Sequence, residues 1–367
     1  MATDEDLAGI RARIDAIDSQ LIGLISDRAR CAQEVAEIKL ASVQAEAAGR
    51  PVFYRPEREA QVLRAIQQRN PGPLPDDYLA RIFREIMSSC LALEQPLAVA
   101  FLGPLGTYTQ AAARKHFGQS ALPHAQASIQ AVFREVEERR CDFGVVPVEN
   151  STEGMVGQTL DCFLESPLHI VGEVELPVVH HLFVGEVTGD ADIVKVCGHP
   201  QALGQCRAWL DTHLPHIALE QVASNGEAAQ RAQDEVGVAA IAGDIAAETY
   251  TLRKRESAIQ DYASNTTRFL ILGREYVPPS GQDKTSVMIA SRNRPGALLN
   301  LLRPFEEAGI SLTRIDSRPS KTEKWTYVFY IEFEGHLEDE VVGRIMTELE
   351  EQSIMLKRLG SYPCAPL

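Results

Sequence analysis

Apolar residues recur at intervals of three and four positions through the first forty residues, with one gap after Leu24. The series is Leu7, Ile10, Ile14, Ile17, Leu21, Leu24, Cys31, Val35 and Ile38. This spacing is typical of a helix with a heptad seam. A helix of ~30 residues or more extends ~45 Å, longer than a small domain is wide, so part of the seam needs a partner helix. The pattern therefore predicts a homodimer, or a higher homo-oligomer, formed through this helix.

Helix-breaking residues divide the rest of the N-terminal region. Glycine and proline within 47–56 end the first helix, and helical patterns return at 57–69 and 76–94. The segment 71–75, which contains three prolines, separates these two patterns. Residues 1–95 are therefore predicted to form an all-helical domain.

After Pro96 the pattern changes to short β-rich runs that alternate with helical patterns, as in LAVAFLG before TQAAARKHF. This alternation is typical of α/β layers with a largely parallel sheet and predicts a two-lobed α/β domain over 97–275. A linker precedes 284–362, where the order βαββαβ predicts an α+β ferredoxin-like domain. The predicted chain is thus multidomain, with an all-α, an α/β and an α+β part.

Composition narrows the functional classes. A length of 367 residues fits two or three domains. With 36 basic and 51 acidic side chains, the net charge of −15 argues against partners such as nucleic acid or an anionic membrane. We expect no signal peptide and no membrane span. The seven scattered cysteines form no C-x-x-C pair, so we expect neither a metal site nor disulfides. We also expect no cofactor, and we expect the protein to be cytoplasmic.

One residue in the heptad seam is cationic. Arg28 occupies the next seam position, four residues after Leu24. Because an unpaired buried charge costs several kcal/mol, an anion is expected beside it. Lys39 lies eleven positions further along, only ~20° around the helix, so both cations share a stripe. Arg11 lies beside the same seam. The alternatives are an intrahelical carboxylate as the partner of Arg28, and ordinary surface salt bridges for Arg11 and Arg58.

A family resemblance is carried by five segments of this region, IRARIDAID, SDRARCA, EVAEIKL, YRPEREAQVL and MSSCLALEQ. Together they resemble the helical chorismate mutases of bacterial bifunctional enzymes. The resemblance implies an intertwined dimer in which Arg11 reaches the site of the other subunit. It also implies that Arg11, Arg28 and Arg58 bind the carboxylates of chorismate, Lys39 donates to the ether oxygen, and Glu59 accepts from the ring hydroxyl. The reaction is a unimolecular rearrangement, which needs a fixed dianion and donors at the developing oxyanion.

Three residues depart from that family's usual pattern. Cys90 stands where a serine is often found, and Arg55 replaces an acid at a position whose main chain contacts substrate. Glu94 stands where a glutamine often donates to the ether oxygen, and a carboxyl group donates only when protonated. We therefore expect mutase activity to fall as the pH rises through the pKa of Glu94.

Three polar segments of the α/β region flank apolar runs. FLGPLGTYT connects a strand to a helix and directs free N–H groups at a ligand above Thr107, which suits a carboxylate. PVENSTEG carries Asn150 and Ser151 at a strand end, and NTTRFLIL carries Thr267 at the start of a buried strand. Taken singly, PVENSTEG is equally typical of a capped turn, and NTTRFLIL is more typical of the start of a strand than of a site. His199 in GHPQ is either a general acid or a helix cap.

In this order, and together with GHPQALGQC, these segments resemble prephenate dehydratases. The resemblance implies two α/β lobes around a cleft and a requirement for Thr267. Prephenate becomes aromatic by losing carbon dioxide and hydroxide, so the site needs anion anchors and a donor to the departing hydroxyl. We assign Thr267 as that donor, with Thr107, Asn150 and Ser151 as anchors or orienters.

The last domain carries RPGAL at the start of a helix and DSRP after a strand. These segments resemble ACT regulatory domains, in which the corresponding motifs line a phenylalanine site between subunits, and Asp316 replaces the usual glutamate. The residues so implied are Gly296, Ala297, Leu298, Asp316, Ser317, Arg318 and Pro319.

The sequence thus predicts a bifunctional enzyme of phenylalanine biosynthesis that is feedback-inhibited by phenylalanine. It would rearrange chorismate to prephenate and then convert prephenate to phenylpyruvate. Two alternatives stay open. The helical domain could serve only as a dimeriser or sensor, or the α/β and C-terminal domains could sense an amino acid without turnover.

Overall fold

The computed structural model describes residues 4–46, 52–188, 193–291, 294–319 and 327–365. Three helices come first and form the helical unit: α1 (Asp4–Glu46), α2 (Pro56–Arg69) and α3 (Asp76–Glu94). They confirm the three helical patterns of the sequence, and α3 packs against both α1 and α2. Among the described helices, none combines the length and the apolar character that crossing a membrane requires.

The first half of α1 extends away from the rest of the chain. Every residue of 6–27 is exposed, including Ile10 at 51%, Ile17 at 53% and Leu24 at 65%. A contiguous exposed apolar stripe marks an interaction surface. The heptad seam is therefore present and uncovered within a single chain.

Two α/β lobes follow. Lobe 1 begins with β1 (Ala98–Leu102), α4 (Tyr108–Phe117), β2 (Leu122–Gln126), α5 (Ile129–Glu137), β3 (Phe143–Asn150), β4 (Gly154–Met155), α6 (Gly157–Glu165) and β5 (His169–Pro177). Lobe 2 consists of β6 (His181–Gly185), β7 (Lys195–Gly198), α7 (Pro200–Gln205), α8 (Arg207–His213), β8 (Ala218–Gln221), α9 (Asn225–Asp234), β9 (Val238–Ala242), α10 (Asp244–Tyr250) and β10 (Leu252–Glu256). The chain then returns to lobe 1 as β11 (Thr266–Gly273).

Both sheets are mixed, so the prediction of a largely parallel sheet is wrong. Lobe 1 has the strand order β2-β1-β3-β11-β5, with β4 beside β3, and lobe 2 has the order β10-β6-β9-β7-β8. Although β1 is parallel to β2 and β3, β11 is antiparallel to both of its neighbours. In lobe 2, β6 is likewise antiparallel to β9 and β10. The direction of β11 follows from the crossing of the chain between lobes, which local alternation in the sequence does not encode.

The C-terminal unit confirms the predicted βαββαβ order. It consists of β12 (Asp283–Ser291), α11 (Ala297–Glu307), β13 (Leu312–Pro319), β14 (Tyr327–Glu334), α12 (Glu340–Gln352) and β15 (Met355–Pro363). Its sheet has the order β13-β14-β12-β15 and is antiparallel throughout. One face buries Ile289 and Ile331 against α11 and α12. The other face buries Tyr330 and Tyr362 in the same apolar cluster as Phe163 of lobe 1.

A buried charge cluster also joins the C-terminal unit to lobe 1. The guanidinium of Arg268 on β11 pairs with Glu173 on β5 at 2.7 Å and with Glu332 on β14. Lys284 on β12 donates to Glu173 at 2.9 Å, and Tyr362 donates to Glu332 at 2.9 Å. Because buried charges are tolerated only when paired, this cluster fixes how the two sheets meet.

Candidate active sites

A cavity of about 370 Å³ lies between the second half of α1, the start of α2 and the end of α3. Arg28 and Lys39 reach it from one stripe of α1, and Cys90 and Glu94 reach it from consecutive turns of α3. Of the sequence-predicted residues, those that line this helical cavity are Arg28, Lys39, Arg55, Arg58, Glu59, Cys90 and Glu94. The cations offer charge-assisted hydrogen bonds to a small anion with two carboxylates.

Glu94 faces this cavity with an unsatisfied oxygen. Its Oε2 is buried and has no hydrogen-bond partner among the described residues, and it lies 3.9 Å from Nζ of Lys39. Burial raises the pKa of Glu94 above its ordinary value, although Lys39 and Arg28 oppose the rise. A buried polar atom without a partner is costly, so its presence here marks the place where a ligand atom would bind.

The Glu59 carboxylate accepts a hydrogen bond from a residue of α3 that the sequence patterns do not identify. Arg84 on α3 donates from Nε to Oε1 of Glu59 at 3.3 Å, and Tyr54 lines the same cavity. Burial raises the pKa of Glu59, whereas Arg84 and Tyr54 lower it. Arg84 is buried inside α3, and such a cation on an apolar helix face is the signal that could have identified it.

Arg55 lines the helical cavity but is mostly exposed, and Arg11 lies far from this cavity. The guanidinium of Arg55 is mostly exposed and pairs with Glu57 at 3.1 Å. Arg11 lies seventeen residues before Arg28 on α1, a distance of ~25 Å along the helix. Arg11 therefore cannot reach the helical cavity of its own chain.

A second cavity, of about 70 Å³, lies in the cleft between lobes 1 and 2. Asn150 at the end of β3 and Thr267 at the start of β11 are register partners, and both line it. Nδ2 of Asn150 donates to Oγ1 of Thr267 at 2.8 Å and to Oδ1 of Asn265 at 2.8 Å. Because Asn150 supplies a donor to the threonine oxygen, the Thr267 O–H can donate to a molecule in the cleft.

The amide of Asn150 is held in this orientation by its own loop. Its Oδ1 accepts from the backbone N–H groups of Thr152 at 3.1 Å and Glu153 at 3.3 Å, and from the Thr152 hydroxyl at 2.6 Å. Since carbonyl oxygens accept and amide nitrogens donate, these contacts leave the NH₂ group directed at Thr267. The VENSTE segment is therefore built to orient one threonine hydroxyl.

Lobe 2 and α4 contribute cleft residues that sequence analysis missed. The Tyr108 hydroxyl donates to the carbonyl of Val179 at 2.6 Å and lies 3.2 Å from Nδ1 of His180. Nε2 of His180 lies 2.9 Å from Oε1 of Gln205, and burial lowers the pKa of this histidine. Gln205 lines the cleft cavity, and its Nε2 is buried with no hydrogen-bond partner within the described ranges. It is thus a second available donor.

The side chains of three predicted residues of this region form hydrogen bonds with backbone groups. Thr107 caps α4 by accepting from the N–H of Gln110 and donates to the Leu102 carbonyl at 3.2 Å. Ser151 accepts from the N–H of Thr266 at 2.9 Å. Neither Thr107 nor Ser151 is among the residues that line the cleft cavity. His199 does line it, and its side chain caps α7.

The predicted regulatory residues lie where β12 and β13 end, at one end of the C-terminal sheet. Gly296, with φ 79°, precedes α11, and Ala297 and Leu298 begin that helix. Asp316, Ser317, Arg318 and Pro319 end β13. Pro319 pairs with Tyr327, which in turn pairs with Ser291 at the end of β12, so the ends of β13 and β12 are two strand spacings apart, ~10 Å.

Arg318 of this segment also meets lobe 1. Its guanidinium packs where a side chain at Gly157, the first residue of α6, would otherwise lie. Its Nε is 3.6 Å from Oδ2 of Asp316. Among the described residues, no group of three or more histidine, cysteine or acidic side chains is arranged to hold a metal ion.

Comparisons with known proteins agree with this division. Family models match at residues 10–95 for chorismate mutase type II, 99–277 for prephenate dehydratase and 285–351 for the ACT domain. A bifunctional chorismate mutase/prephenate dehydratase of Pseudomonas aeruginosa is 54% identical over 368 residues, covering 100% of both chains.

Solved structures are also similar. Prephenate dehydratase of Arthrobacter aurescens in complex with L-Phe is 31% identical with a TM-score of 0.67, covering 73% of this chain and 90% of that one. A structure described as the quorum-quenching acylase GqqA is 28% identical with a TM-score of 0.67, covering 73% of this chain and 98% of that one. From the full-length match and the three matching domain models together, the chain belongs to the family of bifunctional chorismate mutase/prephenate dehydratases with an ACT domain.

Proposed function

We propose that this enzyme rearranges chorismate to prephenate in the helical cavity and converts prephenate to phenylpyruvate in the cleft. We assign the mutase to residues 1–95, the dehydratase to 97–275 and the ACT regulatory domain to 284–362. The observation that carries the proposal is the presence of two separate cavities, each lined by the polar residues of a different motif set. We also propose a cytoplasmic location, which the seven free cysteines support.

In the mutase site, Arg28 and Arg58 bind the two carboxylates of chorismate and hold the reactive conformer. The rearrangement breaks the ether C–O bond as the new C–C bond forms, and negative charge grows on the ether oxygen. Lys39 and protonated Glu94 donate to that oxygen, and such donors stabilise the transition state more than the ground state. Glu59 accepts the hydrogen bond of the ring hydroxyl.

A homodimer completes this site. The exposed seam of 6–27 needs a cover, and Arg11 is ~25 Å from the cavity of its own chain. A partner α1 that packs along the seam would cover the apolar stripe, and its Arg11 would enter the neighbouring cavity.

In the dehydratase site, the bond between the ring and its carboxylate breaks and releases carbon dioxide. The electron pair enters the ring and expels hydroxide from the opposite carbon, so the ring becomes aromatic. Thr267 donates a hydrogen bond to the departing oxygen, held in place by Asn150, and the hydroxide leaves as water once it gains a proton. Gln205 Nε2 is available to anchor a substrate oxygen.

Phenylalanine is the proposed effector, bound at the end of the C-terminal sheet near Gly296 and Arg318. Its effect on the cleft requires two states that bind it unequally. The C-terminal unit contacts both strands that carry the Asn150–Thr267 pair. Arg314 on β13 forms an ion pair with Glu149, the residue before Asn150, and Glu332 pairs with Arg268, the residue after Thr267.

A matched pair of variants tests the dehydratase assignment. Thr267→Ala removes the hydroxyl donor, and we expect phenylpyruvate formation from prephenate to fall by roughly 10²–10³-fold. Thr267→Ser keeps the hydroxyl, so it should retain most of the activity. Chorismate consumption should be unchanged in both. Equal dehydratase rates for the Ala variant and the wild type would contradict the role of Thr267.

A further inference from the structure

Arg84 on α3 lies between the helical cavity and the dehydratase domain. Its side chain is buried, and its guanidinium forms hydrogen bonds in two directions. Nε donates to Oε1 of Glu59 on α2 at 3.3 Å, and Nη1 donates to the backbone carbonyl of Lys115 on α4 at 2.9 Å. Glu59 lines the helical cavity, whereas Arg84 is not among the described residues that do. Arg84 therefore contacts this site through the carboxylate of Glu59.

The carbonyl of Lys115 is a suitable acceptor for a buried cation. Lys115 lies in the last turn of α4, where backbone carbonyls lack intrahelical donors and the helix dipole places partial negative charge. Arg84 supplies one of the missing donors, and the end of the helix in turn offsets part of the cost of burying the guanidinium. The dehydratase domain thus binds one side of the guanidinium, while the other side faces Glu59.

The remaining contacts between α3 and the end of α4 restrict the position of this guanidinium. Glu85, the residue after Arg84, accepts from the N–H of Gln119 at 3.1 Å. Gly118 has φ 76°, and a side chain there would collide with Ser88 of α3. Only glycine combines this backbone conformation with so close an approach. The end of α4 therefore determines where Arg84 finds its carbonyl acceptor.

Glu59 needs a partner of this kind. Its side chain is 17% exposed and that of Arg84 is 8% exposed, so water screens the ion pair weakly. Burial raises the pKa of Glu59, and Arg84 opposes the rise both as a charge and as a hydrogen-bond donor. An ionised carboxylate offers only acceptor oxygens, which suits a group that receives a substrate hydroxyl. The hydrogen bond from Nε also restricts the rotation of the carboxylate.

We infer that Arg84 is a positioning residue for the mutase reaction, and that the dehydratase domain completes the mutase site through it. Arg84 holds the Glu59 carboxylate in the orientation that receives the ring hydroxyl of chorismate, and the last turn of α4 holds Arg84. The inference rests on the proposed role of Glu59. A backbone group 56 positions after Glu59, in another domain, thereby supports the mutase site.

A double-mutant cycle in the full-length enzyme tests this role. Arg84→Met keeps an unbranched apolar side chain but removes the charge and the donors, so mutase kcat/KM should fall roughly 10- to 100-fold. In a Glu59→Gln background the carboxylate that Arg84 positions is already absent, so the same replacement should cost less than about threefold. Arg84→Lys retains a cation and a donor, and it should stay within about fivefold of the wild type.

Glu85→Ala is the matched control for the contact between the two domains. It removes the hydrogen bond to Gln119 but leaves the one between Arg84 and Glu59 in place. Its mutase kcat/KM should stay within about twofold of the wild type. Dehydratase kcat/KM, measured from prephenate, should be unchanged in every variant, which also reports on folding.

Each contrary outcome has a definite meaning. Wild-type mutase kinetics in Arg84→Met would overturn the inference, as would an equal loss from this replacement with Glu59 and with Gln at position 59. A similar loss in Glu85→Ala, or a parallel loss of dehydratase activity in Arg84→Met, would show a merely structural role and would overturn it too. If the wild-type enzyme itself did not consume chorismate, the proposed mutase function would fail instead.

Discussion

The replacement Glu94→Gln tests the most unusual residue of the mutase cavity. Oε2 of Glu94 is buried, lies 3.9 Å from Nζ of Lys39 and has no hydrogen-bond partner in the part of the chain that the structure describes. Burial raises the pKa of this carboxyl group, and the nearby charges of Lys39 and Arg28 only partly offset the rise. Glu94 donates to the ether oxygen of chorismate only while protonated. Mutase activity should therefore be highest below the pKa of Glu94 and fall as the pH rises through it.

The size of the effect follows from the loss of one donor at a developing oxyanion. Such a loss costs ~3–4 kcal/mol in the barrier, or roughly 10²–10³-fold in kcat. A glutamine amide donates at every pH, so Glu94→Gln should remove the alkaline fall. Above the pKa of Glu94 the variant should be faster than the wild type, and below it the two should be similar.

The assay is the initial rate of chorismate disappearance across the pH range, with kcat and KM separated. Glu94→Ala is the matched control, because it lacks the donor at every pH and should be slow throughout. A Gln variant that keeps the wild-type alkaline limb would contradict the donor role of Glu94, since another group would then be titrating.

Two predictions concern the contacts between lobe 1 and the C-terminal unit. Arg268→Met leaves the buried carboxylates of Glu173 and Glu332 undercompensated, so the free energy of unfolding in urea should fall by ~3–5 kcal/mol. A fall below ~1 kcal/mol would show that the cluster does not hold the two sheets together. Arg314→Gln breaks the ion pair with Glu149, so half-inhibition of the dehydratase should need roughly fivefold more phenylalanine, with the uninhibited rate little changed. An unchanged inhibition curve would exclude this contact from the coupling.

Local periodicity was sufficient to predict the helical unit. The spacing of apolar residues defined α1, and a cation in the seam identified Arg28 as a residue that needs an anion. Arg28 and Lys39 are on one helix, so helix geometry alone places them together. Arg84 was missed, although it is a cation on an apolar helix face, because its partners Glu59 and Lys115 belong to other helices and lie far from it in the sequence.

In the cleft, even less of the site can be predicted from local sequence patterns. Asn150 and Thr267 are 117 residues apart in sequence, and only the antiparallel return of β11 makes them neighbours. The motifs identified both residues, but nothing local to either one predicted the mixed sheet. Thr107 illustrates the opposite case, because a threonine at a helix start fits both a ligand anchor and an N-cap, and the structure has it capping α4.

We propose that one chain carries two catalytic sites and that phenylalanine inhibits the dehydratase. The most direct measurement supplies the purified enzyme with chorismate alone and follows chorismate, prephenate and phenylpyruvate over time, with and without phenylalanine. We expect phenylpyruvate to appear without phenylalanine, and prephenate to accumulate in its place when phenylalanine is added. Chorismate that is not consumed, or prephenate that never becomes phenylpyruvate, would contradict the proposed bifunctional activity.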